Sequence, residues 1–212
     1  METQLSTPRR RGRPPKPREY LVETRDLLLR AGLEVLTEKG FSATGIDEIL
    51  RRVSVPKGSF YHYFESKEVF GAALIAQYAR FFARKIDLYL SDKTLSPLTR
   101  LQAFVAAAQA GMAHYDFRRG CLIGNLGQEM GSLPETFRKQ LQEVFADWQS
   151  RFARCLRAAQ DAGELSPQAD CEQLAAFFWI GWEGAVLRAK LEQSAAPLEV
   201  FARGFFAGLP PS

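Results

Sequence analysis

Histidine is almost absent from this 212-residue chain: His62 and His114 are the only two, and the three cysteines, Cys121, Cys155 and Cys171, form no CxxC pair. Neither histidine stands at ligand spacing from a cysteine pair, so no zinc site is expected. An odd number of cysteines cannot close completely into disulfides within one chain. The chain has no GxSxG elbow, no P-loop and no GxGxxG following a strand. No cofactor is therefore expected, and an enzyme is disfavoured; the sole nucleophile–base pair it could offer is Cys121 with His114. No apolar run approaches the roughly 18 residues needed to span a bilayer. The N-terminus, METQLSTPRRRGRPPKPRE, is basic but has no apolar stretch behind it, which excludes a secretory signal. These absences lead to the expectation of a cytoplasmic protein with no membrane partner.

What is present begins with the charge distribution. The formal net charge is +4, but residues 1–18 hold Arg9, Arg10, Arg11, Arg13, Lys16 and Arg18 against Glu2, a net +5. The rest of the chain sums to −1, so the basic character belongs to a Pro-rich tail expected to be disordered when free. Within it, Arg11-Gly12-Arg13-Pro14 matches the core of an AT-hook, an extended segment whose arginines lie in the narrow minor groove of A·T-rich DNA. A solvated basic tail is the plainer reading. Either way, six cations raise affinity for a polyanion and steepen its salt dependence.

From Tyr20 onward the pattern is helical, and no period-2 alternation bounded by turn residues suggests a sheet. Apolar residues recur at three- and four-residue steps through Leu21, Leu28, Leu29, Leu33 and Leu36, and Gly40 stands where a left-handed C-terminal residue is wanted. Thr44 with Asp47 reads as a capping box opening a short second helix that ends before Pro56. A third helix starts near Lys57, and a fourth runs from an N-cap at Ser66 to about Leu90. Further helices are expected over about 98–115, 120–131, 134–162, 168–193 and 197–208, broken at Gly120, Pro134, Gly163 to Pro167 and Pro197. The fold class is all-α: a disordered tail (1–18), an N-terminal three-helix unit with a helix-turn-helix (19–66), and a larger helical body (67–212).

The stretch VPKGSFYHYF carries the most information in the N-terminal unit. With Lys57 at 0° and 100° per residue, Phe60, Tyr63 and Phe64 share one face of a helix, while Lys57, Gly58, Tyr61 and His62 share another. The first face packs inward on the preceding helices, on Leu33, Ile46 and Ile49. The second presents an ammonium, a phenol, an imidazole and a glycine that lets a partner approach. A helix of about eight residues does not persist alone in water, so the arrangement fits the second helix of a helix-turn-helix, which enters the major groove of DNA.

Over roughly residues 22–70, TEKGFSATGIDEILRRVSVPKGSFYHYFESKE resembles the DNA-binding domain of the tetracycline-repressor (TetR) family. The resemblance implies a homodimer on a palindromic double-stranded operator and a C-terminal domain whose small-molecule inducer releases DNA. It implies that Thr44 and Lys67 bind phosphates and that Tyr61 and His62 meet the backbone near the groove. Lys57, Gly58 and Ser59 are then the candidates for base contacts. FRRGCLIGNLGQEMGSLPETFR and FWIGWEGAVLRAKLE are similar to one branch of the family, the branch of the acrylate-utilisation regulator and the N-ethylmaleimide reductase repressor. That branch implies a response to small unsaturated, electrophilic compounds.

The residues offer two routes to such a response. Cys121 follows Arg118 and Arg119 at an expected helix start, where guanidinium and N–H groups favour the reactive thiolate; a small buried residue is the plainer reading. Cys171, in a first turn after Asp170, is its rival, and Cys155 lies on the apolar stripe Trp148, Phe152, Leu156, Ala159. The second route is a noncovalent pocket drawing on Asn125, Gln128, Trp182, Glu183 and Lys190, with Asn125 sharing a helix face with Cys121. Gly181, Gly184 and Ala185, together with PLEVFARGFFAG, read as a helical dimer interface. The expectation is a dimeric repressor released by a thiol-reactive or unsaturated compound such as acrylate. The alternatives are a repressor induced noncovalently by a hydrophobic compound, and a minor-groove architectural protein led by the tail.

Overall fold

The computed structural model describes the backbone of residues 18–212 and side chains from residue 23. Arg11 and Arg13 of the tail lie outside the described residues. Nine helices make up the described chain: α1 (Arg18–Lys39), α2 (Ile46–Val53), α3 (Lys57–Tyr63), α4 (Lys67–Leu90), α5 (Pro97–Ala113), α6 (Leu122–Gln128), α7 (Glu135–Asp161), α8 (Cys171–Glu192) and α9 (Ala196–Ala207).

Local rules place most of the boundaries. Gly40 closes α1 at φ +86°, a conformation that costs glycine little. Ser66 caps α4 by accepting from Val69 N–H at 3.1 Å, and Asp170 caps α8 by accepting from the N–H groups of Glu172 and Gln173, both at 3.0 Å. Ser96 and Pro97 open α5, with proline in the first turn where its missing N–H has no intrahelical partner anyway.

One expected cap is corrected. The N-cap of α2 is Gly45 and not Thr44. Thr44 is buried, and its hydroxyl donates to the Gly40 carbonyl at 2.6 Å. A polar hydroxyl in a buried turn must find a partner, and this one ties the α1–α2 turn to itself.

The core is continuous from the N-terminal helices into the body. Phe60 of α3 and Phe64, its C-cap, are buried and both meet Phe70 of α4 edge-on, with ring centroids 5.2 and 4.9 Å apart. The body is built on Trp148 of α7 and Trp179 of α8, 4.8 Å apart, joined by Phe82, Phe104, Phe152 and Phe178. Cys155, on that stripe, donates to the Pro97 carbonyl at 3.3 Å, and burial pushes its pKa to about 11.

Gly71 marks a close approach between the two parts. A Cβ there would sit 2.6 Å from the rings of both Phe41, at the α1–α2 turn, and Phe137 of α7, which pack edge-on at 5.3 Å. Aromatic rings in a filled core cannot yield that far. Gly71→Ala is expected to destabilise the protein by about 1–3 kcal/mol, read as a lower midpoint in urea with an unchanged slope.

Candidate functional site

The third helix divides as the wheel requires. Lys57, Gly58, Tyr61 and His62 are exposed, Phe60 and Phe64 are buried, and Ser59 and Tyr63 lie between. The outward face thus offers one ammonium, one phenol and one imidazole around a glycine with open space beside it. Lys57 is paired with Asp47 at 3.1 Å, and that hydrogen bond raises its pKa. The two residues expected to bind phosphates, Thr44 and Lys67, both make contacts within the protein. Thr44 uses its hydroxyl on Gly40, as above. Lys67 donates to the Phe41 carbonyl at 2.7 Å and stands 4.4 Å above the Phe41 ring, and its partial burial lowers its pKa.

A second site lies in the body. A cavity of about 440 Å³ opens between α1, α4, α5, α8 and the loop before α6, within the range of small-ligand pockets. Tyr78, Phe81, Phe82 and Lys85 line it from one face of α4. Gly111, Met112, His114 and Tyr115 come from the end of α5, and Trp182, Glu183 and Val186 from α8. Arg119, Gly120 and Cys121 close it.

Cys121 is in the cavity wall, but its surroundings correct the expectation of a thiolate. It is the N-cap of a seven-residue helix, too short to carry much dipole. Arg118 pairs with Asp116 at 3.1 Å. Arg119 pairs with Glu38 at 3.2 Å and lies 4.1 Å over the Tyr115 ring. Burial, and then the neighbouring Glu183, push the thiol pKa well up. The groups that act on the thiol are Glu183, Tyr78 and the Gly124 N–H, not His114. Burial also carries Glu183 to about 7 and Tyr78 well above the usual phenol value. Burial thus favours the neutral form of all three groups. Cys171 is buried as well and donates to Gln160 Oε1 at 3.0 Å, outside the cavity.

Of the other residues expected around the ligand, Trp182 and Glu183 face the cavity, whereas Asn125, Gln128 and Lys190 do not. Gln128 is exposed on α6. Asn125 donates to the carbonyls of Leu36 and Thr37 at 3.3 and 3.0 Å. Lys190 donates to those of Thr37 and Glu38 at 3.1 and 2.8 Å, and Gly120 N–H also reaches Thr37 O at 3.2 Å. Together they satisfy the open C-terminal carbonyls of α1 and set a cation at its negative end. Glu129 completes the joint, accepting from the N–H groups of Phe41 and Ser42 at 2.8 and 2.7 Å. Segment 119–129 therefore lines the cavity at one end and holds the α1–α2 turn at the other.

Sequence reasoning missed Lys85, Tyr78 and Glu129. Tyr78, Phe82 and Lys85 stand at i, i+4 and i+7, a polar–apolar–cationic stripe legible once α4 is drawn. Nothing in the sequence marked Glu129 as a clamp, because its partners are backbone N–H groups 87 and 88 residues away.

Comparison with known proteins settles the family. Residues 28–74 match the model of bacterial regulatory proteins of the tetR family, and residues 97–205 match the tetracyclin repressor-like C-terminal domain.

The chain belongs to the TetR family.

It is 55% identical over 196 residues to the transcriptional regulator AcuR of Cereibacter sphaeroides, covering 92% of this chain and 89% of that one. It is 35% identical over 188 residues to the transcriptional repressor DhaR of Mycobacterium sp. strain GP1, covering 89% and 93%. It is 29% identical over 177 residues to the repressor NemR of Escherichia coli K12, covering 84% and 89%. Among solved structures, a regulatory TetR protein from Rhodobacter sphaeroides superposes with a TM-score of 0.85 at 55% identity, covering 87% of this chain and 97% of that one. The reduced form of Escherichia coli NemR gives 0.78 at 27% identity, covering 90% and 98%. The protein is a TetR-family transcriptional repressor of the branch its sequence resembles, with α2 and α3 as its helix-turn-helix, and not an enzyme. Among the described residues no helix is long and apolar enough to cross a membrane.

Proposed function

We propose that this TetR-family repressor acts in the cytoplasm as a homodimer on a two-fold symmetric operator. It leaves that operator when a small unsaturated, thiol-reactive compound such as acrylate enters the cavity at Cys121. One observation carries the reading: segment 119–129 forms the cavity wall through Arg119, Gly120 and Cys121 and holds the C-terminus of α1 and the α1–α2 turn through Asn125 and Glu129. A ligand that moves the first end must strain or release the second.

Dimerisation is supported by an apolar stripe on α8. Phe177, Ile180, Leu187 and Leu191 are exposed at helical spacing, and Val200 of α9 extends them. An exposed apolar surface of this kind marks an interaction site. In the dimer, two copies of α3 would enter successive major grooves about 34–36 Å apart. Lys57, Gly58, Ser59, Tyr61 and His62 would meet DNA. A ligand favouring the form with mismatched helices by a few kcal/mol empties the operator by population shift.

In the covalent route the Cys121 sulfur bonds to the terminal carbon of the alkene. The thiol proton passes to the Glu183 carboxylate and is returned to the carbon beside the acrylate carboxyl. The product is a thioether, with no oxidant or reductant consumed. The raised thiol pKa favours a second reading, in which the compound binds without reacting. Fluorescence anisotropy of labelled operator separates the two. Under acrylate or N-ethylmaleimide, wild type is expected to release DNA and Cys121→Ser to keep it. Equal release by both proteins moves sensing to noncovalent binding.

A further inference from the structure

Lys57, the first residue of α3, is paired across the helix-turn-helix with an acid. Its side chain is 60% exposed, and its partner Asp47, in the first turn of α2, is 68% exposed. The ammonium nitrogen lies 3.1 Å from Oδ1 and 3.3 Å from Oδ2. An open cleft between the two helices holds the pair together with Arg51 and Ser54. Beside it, Gly58 has open space where a side chain would begin. The neighbouring acid, Glu48, is turned away to Lys39.

An ion pair this exposed adds little to stability, so the fold does not require it. Nor does it add to a general attraction for DNA: its two charges cancel, and a carboxylate facing phosphates is repelled. What the pair offers is a donor and an acceptor side by side, each with capacity to spare. An ammonium has three N–H groups, and a carboxylate accepts at several lone pairs. In the major groove a G·C pair presents two acceptors, guanine N7 and O6, followed by one donor, the cytosine N4 amine. An A·T pair sets its amine between two acceptors and ends on the thymine methyl, which does not match.

We infer that Lys57 and Asp47 read one G·C base pair in each operator half-site as a unit, the ammonium donating to guanine O6 and N7 and the carboxylate accepting from cytosine N4. This rests on α3 being the helix that enters the groove, and adds to it Asp47 of α2 and the base pair addressed. Arg51, exposed one turn further along α2, is by contrast placed for a phosphate, a contact that positions the protein and carries no sequence information.

The test begins with full-length wild type selecting duplexes from a random-sequence library. Anisotropy at one salt concentration then measures the selected duplex and its single-base-pair substitutions against Asp47→Ala, Lys57→Met and Arg51→Ala, with thermal melts reporting whether each variant is folded. Wild type is expected to select a two-fold repeat and to lose about 5- to 100-fold in affinity when one particular G·C in each half becomes A·T. Asp47→Ala and Lys57→Met are each expected to lose most of that discrimination at the same base pair and to keep it at the others. Asp47→Ala should also bind random duplex more tightly, because a repelled charge is gone. Arg51→Ala should weaken all duplexes alike and reduce the salt slope by about 1. Discrimination that survives at every position in folded Asp47→Ala, or falls equally at all of them, overturns the inference and leaves the operator reading standing. Selection of no two-fold repeat by wild type refutes the operator reading and the inference with it.

Discussion

Between pH 5 and pH 8 the protein is expected to lose up to about 3 kcal/mol of stability, and Glu183→Gln is expected to remove most of that loss. Burial raises the Glu183 carboxyl from 4.5 to about 7. Between those values the native state holds a proton that the unfolded chain has released. Stability therefore falls as pH rises through this window and is constant above it. The residue as a whole is only half-buried, which makes the figure an upper bound. Gln has nearly the same shape and cannot ionise, so its variant lacks the slope. Urea denaturation at pH 5 and pH 8, at one protein concentration because assembly enters the equilibrium, gives the answer. Identical slopes in the two proteins would mean that Glu183 is solvated and ionised at both pH values. In the covalent route proposed above this carboxylate takes the thiol proton, so alkylation followed by mass spectrometry should slow below pH 7 in wild type.

The second large effect concerns transmission. Asn125→Ala and Lys190→Met are each expected to raise the inducer concentration that half-empties the operator by roughly 5- to 30-fold, a coupling change of about 1–2 kcal/mol. Both side chains end on the carbonyls that terminate α1, and neither lines the cavity. Inducer affinity of the DNA-free protein should consequently change little. Gln128→Ala, an exposed neighbour on α6, serves as the control and should behave as wild type. Release midpoints by anisotropy, set beside calorimetric affinities, isolate the coupling. Unchanged coupling in both variants would remove the α1 joint from the mechanism.

The helices were legible because their signals are local. Gly40, Ser66, Pro97 and Asp170 each act on backbone groups within four residues, and the two faces of α3 follow from 100° steps through KGSFYHYF. The Thr44 cap failed for a local reason as well: its hydroxyl had two backbone choices, and the Gly40 carbonyl, buried with it, was the one that needed a donor. The candidate site was harder to read. Cys121 beside Arg118 and Arg119 looked like an activated thiol, because adjacency in sequence was the only proximity visible. In the fold those guanidinium groups turn to Asp116 and Glu38, and the groups that do reach the sulfur, Tyr78 and Glu183, come from 43 residues before it and 62 after it.

By itself the sequence determined an all-α chain, the position of its recognition helix, the family, and the stretch that carries the candidate sensing cysteine. Periodicity, capping and motif spacing need no knowledge of what packs against what. Only the tertiary structure decided that Asn125 and Lys190 hold the end of α1 and do not line the cavity, that Lys85 does line it, and that burial raises the Cys121 pKa. Each of those properties is set by the partners and the solvent left around a group, and these come from helices distant in the chain.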